Sequence, residues 1–151
     1  MATSFFVTKL IPGGVEGLLE RRSGKGGGVG GKGGDESSFY NYPGVREWAK
    51  KCGVVSLQAL DAVLFPVHFE ADKHWGVGGL DVRRKEAHLW DSWWRPEREG
   101  DLVALLEALV RWGGDEVARG GGDGGSFSQG WTLFIHKRDV PQQNNSCDCG
   151  A

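Results

Sequence analysis

A chain of 151 residues, 39% apolar and with seven tryptophans, is long enough for one domain with a buried core. Its 18 Lys and Arg stand against 20 Asp and Glu, a formal charge of −2, so it offers no basic field for DNA or RNA, and no apolar run approaches the roughly 18 residues of a membrane span. Three cysteines, two of them a single residue apart, exclude a disulfide scaffold and fit a reducing compartment. The start, Met1-Ala2-Thr3-Ser4-Phe5, lacks the charged opening of a signal peptide, and a soluble intracellular protein is expected.

Phe5, Phe6, Val7, Leu10 and Ile11 are spaced as the end of a helix, which Pro12, Gly13 and Gly14 break. Residues 15–22 can add two helical turns. At 24–34 the composition collapses to glycine, and the backbone entropy lost on ordering such a stretch makes it a flexible insertion rather than core. Gly26, Gly31 and Lys32 imitate the start of a phosphate-binding loop. Gly33 stands where that motif needs Ser or Thr, and no strand precedes it, so nucleotide binding is not expected.

Asn41 can cap and Pro43 suits a first helical position, so 43–51 reads as a short helix with Val45 and Trp48 inward and Gly53 as its stop. Cys52, at its end, reads as a small semi-buried apolar residue. Residues 61–69 carry Val63, Leu64, Phe65, Val67 and Phe69, and Pro66 within that run points to an edge strand or a bulge. A charged turn at 70–73 and another at 83–85 separate two further strands, 74–82 and 86–90, which suggests an antiparallel meander. Antiparallel neighbours would bring His74, at the start of one strand, and Asp91, just after the next, to the same edge.

Leu102, Leu105, Leu106 and Leu109 fall at helical spacing, so 101–112 reads as a helix with Asp101 as its cap, followed by a second glycine-rich loop over 113–130. A short strand at 131–135 leads into residues 140–150, which read Val-Pro-Gln-Gln-Asn-Asn-Ser-Cys-Asp-Cys-Gly. A cysteine with separated His and Asp partners is a candidate nucleophile. The thiol needs a base to ionise at neutral pH, and a glutamine amide can meet the negative oxygen that forms on an attacked carbonyl. On residue type alone Cys147 competes with Cys149, His68 with His74, and Gln142 with Gln143. His88 and His136 show no partner pattern. A zinc site from Cys147, Cys149 and His136 does not match usual ligand spacings, and no metal is expected.

The run at 141–150, the pair His74-Trp75, and Asp91-Ser92 seventeen residues after that histidine together resemble the ubiquitin-like protein proteases, the SUMO or sentrin-specific cysteine proteases with a deneddylase branch. Ser38-Phe39-Tyr40-Asn41, Gly44 to Trp48, and Phe65 to Phe69 add support. The resemblance implies an α+β, papain-like core with an antiparallel or mixed sheet flanked by helices. It implies Cys149 as nucleophile, His74 as base, Asp91 as the residue orienting it, and Gln143, six residues before the thiol, as oxyanion donor beside the Cys149 N–H. Trp75 would wall a tunnel that admits only a Gly-Gly tail, and Trp93 would line the modifier-binding face.

The implied activity is a peptidase or isopeptidase acting on a ubiquitin-like modifier, SUMO first, without cofactor, as a monomer, in the nucleus or cytoplasm. A catalytically dead modifier-binding module, or a deneddylase or viral-type processing protease of the same core, are the alternatives. The family's opening Trp-Leu-Asn-Asp segment is missing near Phe5-Phe6, and only Gly150 and Ala151 follow the thiol, where family members run on for tens of residues. Residues 1–151 are therefore expected to be a partial catalytic domain, weak or inactive by itself.

Overall fold

The computed structural model describes residues 6–22, 39–137 and 139–144. A four-stranded sheet organises them, in the order β1 (Ala62–Phe69), β2 (His74–Asp81), β3 (Glu86–Trp90) and β4 (Thr132–His136). The first three form the expected antiparallel meander, with Phe69 opposite His74 and Val77 opposite Trp90, while β4 joins β3 in parallel. β1 lies at the edge, where the missing N–H of Pro66 breaks no ladder toward a further strand.

Strand alternation divides the sheet into two faces. Phe65, Val67, Phe69, Leu80, Ala87 and Leu89 are buried on one of them, against the leucine stripe of α4 (Glu99–Arg119). Toward the other face Leu64, Val77 and Phe134 remain exposed. The sheet packed with helices is the α+β arrangement expected, and the core continues into α1 (Phe6–Leu10), whose Phe6 ring meets those of Trp48, Phe65 and Trp112 at 5.1–5.3 Å.

Several local expectations change. Asp101 does not cap its own helix: its carboxylate accepts from the backbone N–H groups of Gly17 and Leu19, each at 2.8 Å, at the start of α2 (Leu18–Arg22). The helix expected over 43–51 is two pieces, a 3-10 turn at Tyr42–Gly44 with the Asn41 side chain accepting from the Gly44 N–H, then α3 (Trp48–Lys51).

The loop expected over 113–130 is largely helical, since α4 runs on to Arg119 and α5 (Gly124–Ser128) follows. The glycines there serve packing rather than flexibility. A Cβ on Gly114 would sit 2.8 Å from the Gly124 carbonyl oxygen, and one on Gly113 would sit 2.5 Å from the Phe127 ring. Two helices approach too closely for side chains at those positions. The glycine-rich stretch 24–34 lies outside the described residues.

Candidate active site

The β1–β2 turn and the end of β3 bring His74 and Asp91 together. Carrying the β2–β3 register one step past Val77–Trp90 sets Asp91 opposite Gly76, diagonal to His74 on the buried face. Glycine leaves that space open, for a Cβ on Gly76 would meet the Trp90 carbonyl oxygen at 3.0 Å and the Phe69 ring at 3.1 Å. Across it His74 Nε2 lies 2.6 Å from Asp91 Oδ1, with His74 only 1% and Asp91 0% exposed.

Asp91 Oδ1 also accepts the backbone N–H of Trp93 at 2.9 Å, which fixes the carboxylate from its own C-terminal side. In the neutral tautomer that donates Nε2–H to Asp91, Nδ1 keeps a lone pair. Nδ1 is buried and has no hydrogen-bond partner among the described residues. The His–Asp contact thus leaves the free nitrogen of the ring available as a base.

Rings hold the imidazole in place. Phe69 stacks on it at 5.5 Å and 15°, and Trp93 meets it edge-on at 5.7 Å and 83°. Trp75, next in the chain, points to the other sheet face and packs on His68 at 4.5 Å. Of the two tryptophans expected to contact substrate, Trp93 therefore touches His74, while Trp75 stands beside it across the strand.

The segment preceding the candidate thiol is tied to the same edge. The backbone N–H of Gln143 donates to the Ser92 carbonyl at 2.8 Å, the Ser92 hydroxyl donates to Gln143 Oε1 at 3.1 Å, and Gln142 Nε2 donates to the Asp91 carbonyl at 3.2 Å. The Gln143 amide thus turns its oxygen toward the Ser92 hydroxyl. Gln142 is turned to the backbone instead. Cys147 and Cys149 lie outside the described residues.

Two features were missed in the sequence. A buried arginine, Arg98, sits 3.7 Å from Asp91 Oδ2 and ion-pairs with Asp72; burial pulls its pKa down from the ordinary arginine value, and the Glu16 carboxylate opposes that pull. Nothing in sequence spacing joins residues 72, 91 and 98. The second is a histidine pair on the outer sheet face, where His88 Nδ1 lies 3.0 Å from His136 Nε2 between Phe134 and Trp90. Matching the alternation of 86, 88, 90 to that of 132, 134, 136 could have found it.

Among the described residues no group of three or more His, Cys, Asp or Glu side chains could hold a metal ion, and no helix is long and apolar enough to cross a membrane. An apolar groove of about 690 Å³ opens along β1 between Trp48, Leu57, Leu64 and Trp112, but neither His74 nor Asp91 lines it. The His74–Asp91 pair lies at the strand ends, apart from that groove.

The chain is similar to known proteases over most of its length. Sentrin-specific protease 3 of Mus musculus and of Homo sapiens are each 31% identical over 119 residues, 78% of this chain and 18% of the relative. Ubiquitin-like-specific protease ESD4 of Arabidopsis thaliana is 29% identical over 116 residues, 75% of this chain and 22% of the relative. A structure of SUMO protease Ulp1 with its catalytic cysteine oxidised to a sulfenic acid superposes with a TM-score of 0.57 at 26% identity, covering 72% of this chain and 45% of that one. The chain spans about a fifth of the length of the curated relatives it matches. Residues 31–151 match the Ulp1 protease family, C-terminal catalytic domain, and the chain belongs to that family.

Proposed function

We propose that this chain carries the catalytic centre of a peptidase or isopeptidase that cleaves after the Gly-Gly tail of SUMO, with Cys149 as nucleophile, His74 as base, Asp91 as its orienting acid and Gln143 as oxyanion donor. The observation that carries the reading is the buried His74–Asp91 contact of 2.6 Å whose second ring nitrogen is free of partners among the described residues. Support also comes from the strap that ties Gln142 and Gln143 to Asp91 and Ser92, and from relatives whose names include sentrin-specific and SUMO proteases.

In this reading His74 Nδ1 takes the thiol proton as Cys149 Sγ bonds to the carbonyl carbon of the terminal glycine. The negative oxygen that results is met by the Gln143 side-chain N–H and the Cys149 backbone N–H, and removing one such donor typically costs about 3–4 kcal/mol of barrier. Collapse breaks the C–N bond, and His74 returns its proton to the departing amine. Water, deprotonated by the same nitrogen, then attacks the thioester and regenerates the thiol. Neither half-reaction uses a metal or an organic cofactor. Trp75 and Trp93 flank the path of the tail, and the protein acts as a monomer in the nucleus or cytoplasm.

The test is single-turnover release of a fluorophore from the C-terminus of SUMO with the purified chain in large excess, conditions that register the weak activity expected of it. Release that disappears in Cys149→Ser supports the proposal, and release that survives this substitution overturns it. No release accompanied by SUMO binding in calorimetry identifies a modifier-binding module instead, and neither release nor binding also overturns the proposal.

A further inference from the structure

Two arginines reach the rings that sandwich His74, and one carboxylate holds both. The Arg98 guanidinium lies 4.9 Å from the centroid of Phe69, the ring stacked on His74, and the Arg95 guanidinium lies 4.6 Å from the centroid of Trp93, the ring set edge-on to it. Asp72 accepts from Arg95 Nη2 at 2.8 Å through Oδ1 and ion-pairs with Arg98 Nη2 through Oδ2.

The sequence positions give this clip its leverage. Asp72 sits in the β1–β2 turn, two residues before His74 and next to Lys73, whose φ of 51° marks a tight turn; Arg95 and Arg98 follow Asp91 on the way into α4. The turn before the base is thereby fastened to the segment after the acid. Arg98 also faces the acid itself, with Nη1 3.7 Å from Asp91 Oδ2, the oxygen that does not bond His74. Asp91 is thus shared between an imidazole on one oxygen and a guanidinium on the other.

We propose that the Arg95–Asp72–Arg98 clip is a positioning device that fixes the His74 ring and, through the Arg98 charge on Asp91, sets the proton affinity of His74. This deepens the reading of His74 as general base and rests on it. Among the described residues, the charged groups around His74 are Asp91 at the end of β3, Asp72 and Lys73 in the β1–β2 turn, Arg95 and Arg98 before α4, and Glu16, which accepts the Ala71 N–H and acts on Arg98.

The sign follows from charge. Arg98, 3.7 Å from Asp91, offsets the field of that carboxylate and so disfavours imidazolium; losing its charge should raise the His74 pKa by about one unit for a partly screened interaction. Losing the Asp72 charge leaves the arginines uncompensated and lowers it. Mere loosening of the site would move both variants the same way, toward the ordinary histidine value.

The experiment is an NMR titration of the His74 ring in the full chain, which needs no turnover. Arg98→Met should raise the His74 pKa by about one unit, Arg98→Lys should restore it to within about 0.3 units, and Asp72→Asn should lower it. Shifts of the same sign in Arg98→Met and Asp72→Asn, or no shift in either, overturn the proposal. Should Arg98→Met fail to fold, Asp72→Asn decides alone: a lowered pKa supports the clip and an unchanged or raised one refutes it. Failure of Cys149-dependent SUMO cleavage would sink the protease reading without touching these shifts.

Discussion

Ser92 and Gln143, 51 residues apart, hold each other twice, backbone N–H to carbonyl and hydroxyl to side-chain amide. The first bond sets where the loop sits, and the second sets how the Gln143 amide is turned. If Gln143 is the proposed oxyanion donor, Gln143→Ala should lower kcat on a SUMO–fluorophore substrate by about 10²- to 10³-fold with KM nearly unchanged, because such a donor acts on charge that exists only in the transition state. Ser92→Ala should lower it by less, about 5-fold, the worth of one ordinary hydrogen bond.

Gly76 is the vacancy that lets His74 and Asp91 meet. Gly76→Ala would drive a methyl against the Phe69 ring and the Trp90 carbonyl, and should cost about 1–3 kcal/mol in urea unfolding. Loss of His74-dependent chemistry should exceed what the fraction unfolded explains, since Phe69 is the ring that stacks on His74.

Asp101 satisfies two backbone donors at the start of α2 from a helix more than eighty residues later in the chain. Asp101→Ala should destabilise by about 1–2 kcal/mol, and Asp101→Asn, which keeps one acceptor oxygen, by less. Urea midpoints of the two variants check the order.

Tyr40 and Tyr42 donate to the α4 carboxylates of Asp115 and Glu116 respectively, and burial together with those hydrogen bonds pushes both phenols above their ordinary value of 10.0. A raised folded-state pKa gives stability that is complete below the unfolded value and is lost as pH climbs beyond it. Urea midpoints should therefore be flat with respect to these groups below about pH 10 and fall above it, with a shallower fall in Tyr40→Phe.

The edge where His74 meets Asp91 was legible in sequence because it rests on local rules. Charged turns at 70–73 and 83–85 between three consecutive runs announce the antiparallel meander, and its β2–β3 register brings His74 to Asp91. The glycines at 113 and 114 misled for a physical reason: they look like chain breakers, yet tertiary contact with Phe127 and Gly124 requires small residues inside a continuing helix. Asp101 shows the converse, a residue with capping chemistry whose partners were chosen by packing rather than by neighbourhood. Arg98 carries no local signal at all, because its partners Asp72, Phe69 and Asp91 come from other segments. The His88–His136 pair depends on β4 joining in parallel, which no turn in the sequence announces.

The pairing of the His74 ring with the Cys149 sulfur is tested most directly by the pH dependence of alkylation at Cys149, followed by mass spectrometry, in the unaltered chain and in His74→Ala. Rapid alkylation at Cys149 is expected well below the ordinary thiol pKa of about 8.5, with a return to ordinary behaviour when the imidazole is removed. Alkylation at Cys149 that follows the ordinary thiol curve in both proteins, or that is equally fast at low pH without His74, would contradict it.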